Sequence, residues 1–207
     1  MLSIMCGGIF LAVGAAMIID AQIEKKSSST DDLTANYSVG SPEAQIYKIT
    51  FGQFILPAGW ITDGEKANPK GDPSLYLTNF DYAERAARKE YAIPSNGGSI
   101  SITKISNKQK FALEKYVASS TSFWLGLSDT AEVISTKNIL VDTREAIQVE
   151  MSFPDRTRPR IENRVYVSTE EGAILYFDVT LRPDAPSREK IIKDFQDLVD
   201  TFTFLVP

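Results

Sequence analysis

Between Ser187 and Phe202 the large apolar residues are Ile191, Ile192, Phe195, Leu198, Val199 and Phe202. They fall at i, i+1, i+4, i+7, i+8 and i+11, one stripe at helical period, with Lys190, Lys193, Asp194, Asp197 and Asp200 outside it. A helix with one apolar stripe must lay it on another layer. The residues before it supply a candidate. Ile174, Tyr176, Val179 and Leu181 lie among polar neighbours in a run rich in β-branched and aromatic residues, the pattern of a half-buried strand. The alternation falters at Phe177 and Asp178, which allows a bulge or a strand buried on both faces. Ser187, after Pro186, is placed to cap the helix. Phe202 and Phe204 alternate with threonine and leucine, so the chain should leave the helix as a strand. This strand–helix–strand unit is a packing device and carries no chemistry of its own.

The remaining chain reads as strands with one further long helix. Strands are expected at Ile46–Phe51, Gln53–Leu56, Leu75–Asn79, Ser99–Ile105, Glu132–Leu140, Arg144–Phe153 and Ile161–Ser168. Pro57 and Gly59 punctuate a turn that presents Trp60, which should close one end of the core. The stretch from Phe80 to Gly98 is either a short helix with Arg85, Arg88 and Lys89 outward or an ordered loop. Asn107 should cap a helix running to about Ser122, with Phe111, Leu113, Tyr116 and Val117 facing inward. Thr169–Gly172 makes a tight hairpin with glycine where φ is positive. The expected fold is α+β: a mainly antiparallel sheet covered by two helices. The last helix should cover the strands from Glu132 to Leu181, with Phe202 and Phe204 completing an edge.

Leu2–Ile19 contains no charged residue. Eighteen residues at helical rise give roughly 27 Å, just enough to cross a hydrocarbon core of about 30 Å. Residues 1–20 are therefore expected to be an uncleaved single-span membrane anchor. A cleaved signal peptide ending near Gly14-Ala15-Ala16 is the competing reading; it lacks a basic start, and the apolar run continues past that site. Residues 21–44, poor in large apolar side chains, should be a flexible linker, and 45–207 the folded domain. Lys25 and Lys26 lie on the carboxyl side of the apolar run, which by the positive-inside rule alone favours a cytoplasmic domain. An anchor, a tether and a single domain more often display that domain outside, and an extracytoplasmic domain at the cell membrane is the expectation.

The chain has no histidine, one cysteine and a net charge of −5. These remove histidine-based triads, an intramolecular disulfide and a cysteine-based zinc site. They also argue against nucleic acid as a partner, since no basic surplus meets phosphates. No calcium loop, dinucleotide fingerprint or phosphate loop occurs. No cofactor, metal or catalytic residue is expected.

Three stretches together resemble a known family: FGQFILPAGW near the start of the domain, the central helix after an alternating strand, and VYVSTEEGAILYFDVTL followed by IIKDFQDLVDTFTF. They are similar to the PsbP-like superfamily, including bacterial PsbP-related and DcrB-like anchored domains, over about residues 45–207. That superfamily is named for an extrinsic subunit of photosystem II and includes a nuclear-import factor that binds the Ran GTPase. The resemblance implies the architecture and a non-catalytic binding or assembly module, with a protein as the expected partner. It carries no functional residues, because members share the fold and differ in function. A carboxylate- or lysine-based enzyme remains the remote alternative.

One stretch stands out as a possible contact surface. Asp155–Arg164 holds Arg156, Arg158, Arg160 and Arg164 within nine residues. Guanidinium forks suit carboxylate or phosphate partners. The plainer reading is a solvated loop whose arginines pair with Asp155 and Glu162.

Overall fold

The computed structural model describes residues 38–39, 45–68, 70–87, 89, 92–154 and 159–205. Its main sheet is built from β1 (Ser38–Val39), β4 (Ile61–Ala67), β5 (Pro73–Thr78), β6 (Gly98–Ile105), β10 (Ile174–Leu181), β9 (Arg160–Ser168), β8 (Arg144–Phe153) and β7 (Glu132–Val141), in that spatial order. Every neighbouring pair is antiparallel. A smaller sheet holds β2 (Gln45–Ile49), β3 (Gly52–Leu56) and β11 (Thr203–Phe204). Among the described residues three helices complete the fold: α1 (Tyr82–Ala87), α2 (Leu113–Leu125) and α3 (Arg188–Thr201). The β7–β8 hairpin turns through Asp142 and Thr143, both at positive φ, as a two-residue turn matched to strand twist requires. Gly172, at φ +77, closes the β9–β10 hairpin as expected.

Alternation sorts the main sheet into two faces. Leu75 and Leu77 of β5, Ile100 and Ile102 of β6, Val165 and Val167 of β9, and Leu175, Phe177, Val179 and Leu181 of β10 all enter one core. Ile191, Phe195, Leu198 and Val199 of α3 close over it, so the stripe docks as its spacing required. Its centre of gravity differs from the expectation. The helix lies against β10 and the small sheet, with β5 and β6 beneath, while β7 and β8 give that core only Val141 and Ala146 among their buried residues. Trp60 is fully buried here, and its Nε1 donates to Asp194 Oδ2 at 2.8 Å.

Two local expectations at α3 are corrected. Ser187 does not cap the helix; its Oγ donates to the Asn96 carbonyl at 2.7 Å and ties the helix start to the loop before β6. Phe204 completes the edge of the small sheet, opposite Gly52, and not of the main one. Gly52 has a steric reason to be glycine. A Cβ there would stand 2.1 Å from the ring of Phe202, which packs edge-on against both Phe177 and Phe204.

The second face carries α2. α2 leads from central β6 to edge β7, so it crosses this face above the strands between them. Val117 is buried there with Ile147, Val149, Met151, Phe153, Tyr166 and Ile174, and Leu113, Tyr116 and Trp124 pack against the cluster. The helix starts later than the sequence suggested. Asn107 instead braces the preceding loop, accepting from Phe111 N at 3.1 Å and donating to Phe111 O at 2.9 Å. β4 was not apparent in the sequence, because Gly64 at φ +92 and a register shift between Thr62 and Glu65 break its alternation.

The expected anchor at 1–20 lies outside the described residues, as does the expected linker apart from Ser38–Val39, which pairs with β4. Among the described residues no helix is long and apolar enough to cross a membrane.

Candidate functional site

Because Leu75 and Leu77 of β5, Ile100 and Ile102 of β6, and Phe177 and Val179 of β10 enter the α3 core, the residues alternating with them share the opposite face. Register sets these in rows. Ser74, Thr103, Tyr176 and Tyr166 form one row across β5, β6, β10 and β9. Tyr76, Ser101, Asp178 and Arg164 form the next, and Thr78, Ser99, Thr180 and Glu162 the third. The face is a field of hydroxyls with one ionic cluster at its β9 side. α2 bounds it on that side. On the other, Tyr82 of α1 meets Tyr76 edge-on with ring centroids 6.4 Å apart. On this face Tyr76 remains 45% exposed, whereas Thr78, Ser99 and Thr103 are buried.

The hydroxyls are organised by one another. Ser74 Oγ and Thr103 Oγ1 are 2.5 Å apart, and Thr180 Oγ1 donates to Asp178 Oδ2 at 3.3 Å. Tyr166 stacks on Tyr176, meets Tyr116 edge-on, and its hydroxyl is 3.1 Å from Ser120 Oγ of α2. Burial pushes the phenols of Tyr76 and Tyr176 up, against the opposing pull of hydrogen bonds from Ser99 and from Thr103 and Ser101. Burial also pushes Tyr116 up to about 12. All three tyrosines are therefore neutral hydroxyls at ordinary pH.

Arg164 anchors the ionic cluster. Its side chain is 5% exposed, with Nη2 donating to Glu162 Oε2 at 2.5 Å and Nε to Asp178 Oδ1 at 3.0 Å. The Trp124 ring covers the guanidinium, with its centroid 4.1 Å away. Burial alone would lower the pKa of this arginine; the two carboxylates outweigh it and push the pKa up. Asp178 is shifted the other way from a normal ion-paired acid. Desolvation raises it to about 6, ahead of the opposing pull of Arg164.

The sign of its pH effect follows. A carboxyl whose folded pKa lies above the unfolded one binds its proton more tightly in the native state. Its contribution is full below about pH 4 and is lost as pH rises through about 6. The stability of the protein minus that of Asp178→Asn should fall by up to about 3 kcal/mol across that window. Urea unfolding of both proteins at several pH values measures it, and a difference that stays flat would refute the assignment.

The arginine-rich stretch divides. Arg156 and Arg158 lie outside the described residues. Arg160 opens β9 opposite Phe153, its guanidinium 4.1 Å from that ring and its Nε donating to Glu162 Oε1 at 2.6 Å. Arg164 is no loop residue and offers nothing to a surface partner. It occupies a strand position whose neighbours, Glu162 and Asp178, face the same side. The same end of the sheet carries a rim of apolar side chains where α2 runs into β7. Phe123, Leu127, Val133 and Ile134 are all exposed there, Leu127 at 56%. A separate cleft of about 640 Å³ opens beside the Thr169–Ala173 hairpin; within it Lys104 already pairs with Glu171 at 2.7 Å.

Sequence reasoning missed these rows. The signal was present in PSLYLT, SISITKI and YFDVTL, where hydroxyl residues alternate with apolar ones, but alternation alone does not reveal which strands bring those residues side by side.

No family model and no curated protein matches the chain. Solved structures do. Cyanobacterial PsbP (CyanoP) of Synechocystis is similar over 81% of this chain and 95% of its own, at 18% identity and a TM-score of 0.53. The yeast Ran-binding protein Mog1p matches 79% of this chain and 96% of its own, at 12% identity and a TM-score of 0.49. A putative regulator of unknown function from Pseudomonas aeruginosa matches over the same two shares, at 14% identity and a TM-score of 0.48.

Proposed function

We propose that this chain, whose fold is that of the PsbP-like proteins, is a non-catalytic binding module tethered to a membrane, with a protein as its partner. One observation carries the reading: Phe123, Leu127, Val133 and Ile134 are exposed within twelve positions, at the sheet end where Arg160 emerges. Aromatic and aliphatic side chains beside arginine are the composition of protein interfaces. The guanidinium selects a partner surface bearing carboxylates. Arg156 and Arg158, just upstream in the chain, belong to the same contact in this reading, and Arg164 does not. The uncharged stretch Leu2–Ile19 supports attachment through residues 1–20, and the polar segment after it supports a domain held off the membrane on its outer side. Lys25 and Lys26 favour a second reading in which the domain faces the cytoplasm.

A photo-crosslinking residue at Leu127 in intact cells tests the contact, and protease added to those cells tests the side. The expected result is a discrete protein adduct, reduced severalfold when Arg156, Arg158 and Arg160 are replaced by alanine in a protein that still folds. An adduct unchanged by the triple substitution, or none at all, removes the rim from consideration. A domain protected from external protease selects the cytoplasmic reading.

A further inference from the structure

We propose that the cleft of about 640 Å³ beside the Thr169–Ala173 hairpin binds a carboxylate carried on an apolar body, and that Glu171 competes with it for the ammonium group of Lys104. The site is separate from the rim and independent of it. Its volume is that of small-ligand sites. Two of its walls are braced by their own hydrogen bonds. Asn107 holds the Phe111 backbone through both its side-chain oxygen and its nitrogen. Lys110 N donates to Asn107 O at 2.9 Å, and Lys110 is kept at φ +49. A non-glycine residue held in that region is strained, and such residues gather at ligand clamps. On the other wall Asn68 Oδ1 accepts from Lys70 N at 2.8 Å and from Asp72 N at 3.0 Å. Asp72 Oδ1 in turn accepts from Ser106 N at 3.4 Å and joins the two loops. Lys110 and Phe111 are thus set in place ahead of binding, which spares the cost of ordering them.

Charge selects the ligand. Glu170 is neutralised by Arg144 at 2.6 Å, and Asp72 accepts from Ser106 N and Asn68 Nδ2. The lysines are less committed. Among the described residues Lys104 has Glu171 as its one ion-pair partner, and Lys110 has none. The two members of the Lys104–Glu171 pair differ in burial. The Lys104 side chain is 24% exposed and belongs to the cleft lining, whereas Glu171, 62% exposed, reaches in from the hairpin tip. A pair with one member so exposed is weak. An incoming carboxylate can take the place of Glu171, which returns to water with little loss. The ligand then meets two ammonium groups with one negative charge. A cation would meet the same two groups with the wrong sign, and a neutral ligand gives no reason for the pair to open. Phe111 and Pro73 belong to the same lining and call for an apolar body next to the carboxylate. A peptide C-terminus ending in an aromatic residue and a small aryl acid share that chemistry.

The full chain, held in a non-ionic detergent, is titrated with fluorophenylacetate and with the tripeptide glycyl-glycyl-fluorophenylalanine, each beside its amide. Fluorine NMR line width is read against the detergent alone. At least one of the two acids should bind, at about 1 mM, and its amide should bind about tenfold more weakly or not at all. Which acid binds identifies the source of the carboxylate. Lys104→Met should weaken binding by about tenfold or more. Glu171→Gln should tighten it by about threefold or more, because the internal competitor is gone. Asp197→Asn makes the same change of charge on α3, outside the cleft lining, and should leave the affinity unchanged. The substituted side chains are not buried, so the variants should fold, and circular dichroism checks that they do. Absence of binding by both acids overturns the proposal. So does an amide that binds as well as its acid, or binding that Lys104→Met leaves intact. A Glu171→Gln variant no tighter than the parent, or an Asp197→Asn variant tightened equally, overturns it as well. The Arg156, Arg158 and Arg160 triple alanine variant should bind the acid unchanged. None of these failures touches the rim, whose test is the protein adduct at Leu127.

Discussion

Phe195→Ala should destabilise the protein by about 3–5 kcal/mol. The ring is fully buried in the core between α3 and the sheet, among side chains contributed by β3, β5, β6, β9 and β10. Its removal costs the transfer energy of the lost atoms and leaves a cavity that rigid strands cannot close. The sheet is held by backbone pairing on either side, so little relaxation is available. Urea unfolding measures the loss as a shift in midpoint at constant slope. A loss under about 1 kcal/mol would mean that α3 does not dock as described.

Arg164→Met should cost a similar amount, about 3–5 kcal/mol, for an opposite reason. No cavity need form. Asp178, its side chain 16% exposed, would lose the cation it pairs with, and Glu162, at 5%, would keep Arg160 alone. The penalty belongs to the stranded charges and not to the lost contact. Adding Glu162→Gln and Asp178→Asn to Arg164→Met should therefore restore most of the stability, because no buried ion is left unpaired and the Arg160 side chain, 30% exposed, can be hydrated. Unfolding of the single and triple variants side by side decides it. If the triple variant is as unstable as the single, the guanidinium acts by packing under Trp124 and not by charge.

The difference between these two residues also marks how far the sequence could be read. Phe195 belongs to a stripe with unbroken period, and period alone placed α3 against a sheet. β6 and β8 were legible on the same ground, alternating through SISITKI and IQVEMSF. Arg164 sits in a strand where Glu162, Arg164 and Tyr166 alternate with Asn163, Val165 and Val167. Such a pattern says which residues share a face and leaves open whether that face meets water. The covering partner, Trp124, comes from a helix forty residues upstream in the chain, and Asp178 from the next strand, so the burial of the arginine is a tertiary fact. The small sheet was hidden for a related reason. β11 is only two residues long, too short for any period, and its pairing with β3 depends on where α3 happens to end. Asn107 and Ser187 carry the chemistry of helix caps but found other backbone partners nearby, an outcome that local sequence does not rank.

That closure of the small sheet bears on how the chain is made. Ile55 N donates to Thr201 Oγ1 across 146 positions of sequence, and Phe204 pairs with Gly52 just beyond. Contacts so distant are slow to form, since loop closure must be completed before they contribute. At a synthesis rate of about 5–20 residues per second, β2 and β3 wait roughly 7–30 s for the segment that covers them. Over that interval Phe54 and Leu56, buried in the finished protein, have no α3 to shield them. Keeping the emerging chain from associating through those side chains is work for a chaperone, because the fold itself is not yet there to do it.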